Sequence, residues 1–343
     1  MNIIYVSYLE PNYSRSGVHF NFLINTDNVQ HKVNFFLFPQ GFFAKWKSLR
    51  RFMGEYGRDN SHVVVMSPAS SLVIYLRLLG FKKIILDGGW PLSDASKIRK
   101  SSPLVLYLDW IIDLVSIHLC KRFICESNEQ QLEIHHKFKV KLSKLKVNYT
   151  GFLQKEFTTS LSVKDEVRRF VFDKNYVLFR GKPNKEAGLD TIITAAKLLE
   201  NQVNFVIASP RYFCEEKPSN VLILDDYLKS YEITTLYREA YLVLGQMSDD
   251  ERLSRTIPHK FFEAAFFGKC YVSARTKPIR NICKEAIFEV QGGNGVELAE
   301  RILDLFGSPE VVRNAEAAIK KTYRERFDPE ILTHQFVEIL REI

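Results

Sequence analysis

Cysteine is scarce in this sequence and follows no pattern. Cys120, Cys125, Cys214, Cys270 and Cys283 show neither metal-ligand spacing nor an even count. That argues against a disulfide framework and for a reducing cytosol. The eight histidines lack zinc spacing, and the pair His135-His136, which opens a lysine-rich segment, reads as solvated surface. The sequence has no apolar run fit to cross a bilayer. The longest, PLVLYLDWIIDLVSIHLC, is broken by Asp109 and Asp113, so a buried helix is expected there. The N-terminus lacks the basic, then apolar, pattern of a signal peptide and opens directly as a strand, MNIIYVSY. Short repeats and low-complexity tracts are also lacking.

What is present is ordinary in amount and uneven in placement. Across 343 residues, 46% are hydrophobic and 26% charged, enough for two soluble domains, each with its own core. Residues 1–160 carry 21 Lys and Arg against 12 Asp and Glu, whereas residues 161–343 carry 27 against 28. The whole positive excess therefore lies in the first half, which predicts an anionic partner for that half. Nucleic acid is the poorer candidate, because no known binding motif accompanies the charge.

Apolar runs rich in Val and Ile alternate with helical patterns. NIIYVS, KVNFFLF, HVVVMS, KKIILDG and RFICES read as strands in the first half. YVLFRG, NFVIAS, NVLILDD, YLVLGQ and CYVSA read as strands in the second. Little alternation within the strands indicates parallel sheets covered on both faces. TGFLQKEFTTSLSVKDEV, over residues 150–167, breaks the pattern and reads as a linker. The fold class is thus α/β, with two doubly wound domains facing a cleft and ligands at the carboxyl ends of strands. Two helical segments close the chain, near 309–324 and 329–343.

RTIPHKFFEAAFFGKCYV poses an electrostatic problem. Pro258 reads as the first residue of a helix and Gly268 as the residue past its end. The first turn holds His259 and Lys260 at the end where the helix dipole is already positive. A single acid, Glu263, stands among Phe261, Phe262, Phe266 and Phe267. Two explanations are open. The helix start faces an anion, and Glu263 meets a polar ligand; or Glu263 pairs with Lys260 or Lys269 on a solvated face.

These stretches carry a resemblance. YVLFRGKPNKEAGLDTIITAAKLLE is similar to the strand, Gly-Arg-x-x-x-Glu-Lys-Gly loop and helix of the retaining glycosyltransferases of family 4, which have the GT-B fold. PHKFFEAAFFGKCYVSA resembles that family's Pro-x-Lys-x-x-Glu helix and the strand after it. NYTGFLQKEF stands where the family has an Asn-Gly-Val-Asp linker, and YEITTLYREAYLVLGQ fits the helix and strand before the donor site. The likeness covers most of residues 147–327. It is weaker in the first half, where SRSGVHFNFL places Ser16 and Gly17 near the family's glycine at the start of its first helix.

The resemblance implies an acceptor-side Rossmann-like domain over residues 1–155 and a nucleotide-sugar-binding one over 165–327. A C-terminal helix, 328–343, would pack back toward the first domain. It implies a donor site around Gly181, Lys182, Lys185, Arg255, Pro258, His259, Lys260 and Glu263, with the diphosphate at the helix start and the ribose hydroxyls on Glu263. On that basis Glu263→Gln should weaken donor binding without unfolding the protein. No catalytic residue is assigned. Three positions depart from the family. Lys182 replaces an arginine and so loses the bidentate fork, Ala187 replaces a lysine, and Arg255 stands where many members have a first glutamate. Lys185, Arg180 or Arg255 would have to replace the missing cation. No Asp-x-Asp metal signature is placed like a donor site; the acids of Leu224–Asp226 and Ser248–Asp250 read as turn carboxylates. The implied enzyme is a metal-independent hexosyltransferase with no cofactor, the nucleotide-sugar (UDP- or GDP-linked) being its substrate.

Two further stretches bear on the acceptor. DGGWPLSD is expected to open into the cleft, with Trp90 either stacking on an acceptor or packing on a neighbouring loop. Over residues 41–58, Phe42, Phe43, Trp46, Leu49 and Phe52 fall near helical spacing, with Lys45, Lys47, Arg50 and Arg51 between them. That is the composition of a helix lying on an anionic membrane surface, or of an amphipathic helix facing the core. The functional expectation is a cytoplasmic glycosyltransferase, peripheral on the membrane, acting with retention on a lipid-linked or surface-polysaccharide acceptor. Its rivals are a non-catalytic sugar-nucleotide-binding subunit, motivated by Lys182, Ala187 and Arg255, and an epimerase of the same fold, whose acid/base residues are not evident.

Overall fold

The computed structural model describes residues 1–10, 16–25, 31–58, 61–152, 165–171 and 175–343. They form two compact units, Met1–Gly151 with Pro329–Ile343, and Phe152–Asp328. Position 155, and residues 153–164 of the linker expected over 150–167, lie outside the described residues.

The first unit alternates β1 (Asn2–Ser7), α1 (Ser16–Asn25), β2 (Lys32–Leu37), α2 (Phe42–Glu55), β3 (Ser61–Met66), α3 (Leu72–Leu78), β4 (Ile84–Asp87), α4 (Leu92–Ile98), α5 (Pro103–Leu119), β5 (Arg122–Cys125), α6 (Asn128–Phe138) and β6 (Leu145–Val147). Its six parallel strands run in the order β2-β1-β3-β4-β5-β6. Both faces are covered, which is why β1, β3 and β4 are continuous apolar runs. Leu49 and Phe52 of α2, Leu72 and Leu76 of α3 and Ile117 of α5 fill one face. Phe20 and Leu23 of α1 fill the other, together with Phe336 and Leu340 from the chain's last helix.

The second unit contains α7 (Asp165–Val171), β7 (Tyr176–Arg180), α8 (Leu189–Leu198), β8 (Asn204–Ala208), β9 (Val221–Leu224), α9 (Ser230–Glu239), β10 (Leu242–Leu244), α10 (His259–Phe267), β11 (Cys270–Ala274), α11 (Lys277–Cys283), β12 (Ile287–Val290), α12 (Gly295–Phe306) and α13 (Pro309–Thr322). A π-helical turn, Tyr323–Phe327, then leads to α14 (Pro329–Arg341), the helix that completes the first unit. The second sheet is also parallel, in the order β12-β11-β10-β7-β8-β9.

Two sequence expectations are corrected here. The run forming α5 is not buried throughout: Leu104, Val105, Tyr107 and Leu108 are exposed, and full burial begins only at Asp113, Ser116 and Ile117. The acids that interrupt the run explain this. Asp113 accepts the Leu92 and Ser93 N–H groups at 2.9 and 2.8 Å, and Asp109 accepts the Ser96 hydroxyl. The polar face of α5 therefore turns inward onto α4. The second correction concerns α2. Leu49 and Phe52 belong to the core, so of the two readings open for this stripe the core-facing one holds at these positions, while Phe43 and Trp46 stay exposed. Phe43, Lys47, Arg50 and Arg51 are exposed, Arg51 pairing with Glu55 at 2.6 Å. Trp46 meets the Tyr75 ring edge-on at 5.9 Å, and the Phe42 side chain lies outside the described set. Among the described residues no helix is long and apolar enough to cross a membrane.

Candidate nucleotide-binding site

In the second sheet the strand order reverses between β7 and β10, so the connections leaving these strands diverge. Doubly wound sheets take ligands at that point. β7 ends in Phe179-Arg180 and runs into Gly181; β10 runs into Gly245-Gln246. The first turn of α10 meets both. Lys260 Nζ donates to Gln246 Oε1 at 3.1 Å and lies 4.8 Å from the centre of the Phe179 ring. Gly181 has φ 154°, and a Cβ there would stand 2.5 Å from Lys260 Cε. Glycine at 181 is thus what lets the lysine through. Lys260 is almost fully buried. Burial pushes its pKa down to about 8, a fall that Glu263 opposes and Arg180 assists.

The helix begins one residue later than its sequence suggests, because Pro258 takes the N-cap position. No side chain caps it; the Phe261 N–H donates to Pro258 O at 2.9 Å, and the His259 and Lys260 N–H groups keep their capacity for an anion.

Glu263 faces inward, its side chain 3% exposed. It is not on a solvated face, and its partner is neither Lys260 nor Lys269. Arg180 donates to Oε1, His259 Nδ1 lies 3.2 Å from that same oxygen, and the Tyr237 hydroxyl donates to Oε2 at 2.5 Å. Burial alone would raise its pKa; the Arg180 charge and the bonds from His259 and Tyr237 hold it well below the usual carboxylate range. The surrounding aromatics hold this acid in place. Tyr237 stacks on Phe267 at 5.0 Å, and Phe261 and Phe262 meet Phe327 of the π turn edge-on at 5.8 and 5.1 Å. The carboxylate therefore joins α10 to β7 and α9 and keeps one oxygen with a single protein donor among the described bonds.

The loop after Gly181 is pinned from below. Glu186 accepts from Arg252 and Asn184, each at 2.6 Å, and Ala187 O accepts the Met247 N–H at 3.0 Å. Gly188 is in the left-handed region, and a Cβ there would stand 2.4 Å from the Met247 backbone. The Ala187 side chain points into the apolar core, so the cation that the resemblance leads one to expect there has no counterpart at that position. Lys182 and Lys185 are exposed on the loop, Lys185 3.5 Å from Asp250 Oδ2. Asp250 also caps the short 3-10 turn Glu251–Ser254, as expected of a turn carboxylate. Arg255, half-buried, follows that turn.

The structure thus brings together Gly181, Lys260, His259 and Glu263, and leaves Lys182 and Lys185 at the loop surface. Sequence reasoning missed Tyr237, Gln246, Glu186 and Arg252 and gave Arg180 only as a stand-in cation. In the first unit, Gly17 is buried at the start of α1, where the Ser16 side chain lies outside the described set. Trp90 is half-buried just after the carboxyl end of β4.

No protein-family model matches the sequence, and no curated protein does. Solved structures do. Sucrose-phosphate synthase from Thermosynechococcus elongatus is 11% identical with a TM-score of 0.75, over 100% of this chain and 99% of that one. HepE of Anabaena in complex with UDP-glucose is 17% identical with a TM-score of 0.67, over 100% of both. A trehalose-phosphate synthase from Burkholderia vietnamiensis is 10% identical with a TM-score of 0.74, over 100% and 99%. The fold is GT-B. At these identities the likeness establishes the architecture alone, and the GT-B framework gives the β7–β10 site its setting.

Proposed function

We propose that this GT-B protein is a glycosyltransferase, a retaining member of family 4, moving a hexose from a UDP- or GDP-linked sugar to a lipid-linked or surface-polysaccharide acceptor. The observation that carries this reading is Lys260. It is a buried ammonium at the uncapped start of a helix, at the switch point of the sheet, and its bond partner is an amide. A buried cation in that setting calls for an anion, and a diphosphate fits both the charge and the row of N–H groups. HepE of Anabaena, similar in fold, was solved with UDP and with UDP-glucose.

Lys260 and the first-turn N–H groups would hold the diphosphate and stabilise the negative charge that grows on it as the sugar departs. His259 and the less occupied Oε2 of Glu263 would meet the ribose. Lys182, Lys185 and Arg255 would add longer-range positive charge, without a metal ion. Ser16, Gly17 and Trp90 would lie on the acceptor side, and the protein would work at the cytoplasmic membrane face.

One set of observations favours a second reading, a sugar-nucleotide-binding subunit without turnover: Ala187 is buried in the core and Glu263 is already engaged by three protein groups. Two measurements decide. Thermal melting with UDP, GDP and their sugars should rise with the preferred nucleotide, by about 2.7 kcal/mol of added stability at a hundredfold excess over Kd. If no nucleoside diphosphate stabilises the protein, both readings fall. Release of nucleoside diphosphate from the preferred donor then separates the enzyme from the silent binder.

A further inference from the structure

The exposed half of α5 offers a docking surface that neither the fold nor the donor site accounts for. Leu104, Tyr107 and Leu108 are 67, 59 and 49% exposed, and Ile98 and Val105 beside them are exposed as well. Leu104, Tyr107 and Leu108 follow the i, i+3, i+4 spacing of a single helical stripe. The hairpin that carries them is rigid. Asp113 and Asp109 bind α4 from the inner face of α5. The turn between the helices is closed by Lys100 in the left-handed region, φ 54°, with Ser101 N–H donating to Ser96 O at 3.0 Å, a Schellman arrangement. A fixed scaffold therefore holds large apolar side chains in water, where a contiguous patch marks an interaction site.

The charge beside the patch selects its occupant. Lys97, Arg99 and Lys100 are exposed on the turn, and the segment 97–108, KIRKSSPLVLYL, has no acid. Apolar side chains beside a turn that carries three exposed cations match the interface of an anionic bilayer. A second copy of the chain fits poorly, since the same segment on a two-fold partner would offer these three cations no carboxylate. We propose that the α4–α5 hairpin docks on anionic lipid, with Leu104, Tyr107 and Leu108 entering the acyl boundary and Lys97, Arg99 and Lys100 on the headgroups. This surface replaces the core-facing stripe of α2 as the membrane contact. The N-terminal turns of α2 and α5 lie at the same end of the sheet, because both helices return antiparallel to parallel strands, so exposed Phe43 and Lys47 of α2 would flank the contact. The proposal deepens the membrane part of the reading above and is tested without any donor, so its failure leaves sugar transfer untouched.

The full-length protein is sedimented with vesicles of phosphatidylcholine alone and of phosphatidylcholine with phosphatidylglycerol. Wild type is expected to pellet with the anionic vesicles, and less so in high salt. A Leu104→Ser/Leu108→Ser variant should partition at least tenfold more weakly with little change in melting temperature, since the two side chains are 67 and 49% exposed. Three outcomes would overturn the proposal: no pelleting of wild type with anionic vesicles, equal pelleting of the variant, or binding indifferent to lipid charge. A wild-type dimer made monomeric by the double substitution would also do so, by assigning the face to a second copy.

Discussion

Lys260 concentrates the tension between stability and function in a single side chain. Its pKa near 8, against an ordinary 10.5, means that the folded state at neutral pH bears about 3 kcal/mol of unfavourable burial of charge. The unfolded lysine keeps its proton up to about pH 10, so that cost is full below pH 8 and is relieved as pH rises from about 8 toward 10.5. Lys260→Met should therefore melt no lower than wild type at pH 7 and should lack this alkaline gain in denaturant titrations. The same substitution should weaken UDP or GDP binding at least tenfold. In wild type that affinity should fall as pH rises past 8, when the ammonium is lost; a flat profile to pH 9 would remove Lys260 from the site. Gly181→Ala should mimic the loss, because its Cβ would displace the lysine head from 2.5 Å away. Glu263→Gln is a different case. The sequence suggested a change in binding alone, but the Arg180 bond shows that the substitution also leaves a guanidinium poorly paired. A loss of about 2–3 kcal/mol is expected, visible as a melting temperature lower by roughly 5–10 °C.

At the scale of elements, the strands were the most legible part of the sequence. Ten of the twelve were evident as apolar runs, because burial on both faces leaves no room for polar alternation. The two missed, β6 and β12, are edge strands each interrupted by a charged residue, Lys146 and Glu289, so neither leaves an unbroken apolar run. The helices were less transparent. A periodic apolar stripe says that one face is sheltered but does not say by what; α2 turned its stripe to the core, whereas α5 kept one in water. In α5 the deciding residues were Asp109 and Asp113, which looked like interruptions; Asp113 in fact caps α4 and Asp109 holds the Ser96 hydroxyl within it. Asp113→Ala should cost about 1–2 kcal/mol in urea unfolding, as for loss of a helix cap. Asp113→Asn, which keeps one acceptor, should cost less.

At the scale of the whole molecule, the chain crosses back on itself: α14 lies in the unit that begins at Met1, although 177 residues of the other unit intervene. Phe336 is fully buried against Tyr5 and stacks on His19 at 4.9 Å. Phe336→Ala should therefore destabilise the first unit by about 3–5 kcal/mol, although it lies within the chain's last ten residues. Calorimetry that leaves the transition of the first unit unmoved would contradict that placement.

The sequence alone determined the α/β class, the two alternating halves and the glycine-bounded helix with misplaced cations, because those depend on local periodicity and backbone stereochemistry. Tertiary structure decided everything that depends on which element lies beside which. It put Arg180 and Tyr237 around Glu263, although Arg180 is 83 positions away in the chain, whereas His259 stands one helical turn before it. It brought Gln246 and Gly181 to Lys260 across the reversal of strand order. It also turned the acids of α5 inward and its leucines out. A one-dimensional pattern records whether a side chain is sheltered, but pairing energies and pKa shifts act through space over a few ångströms, and only the packed sheet sets those distances.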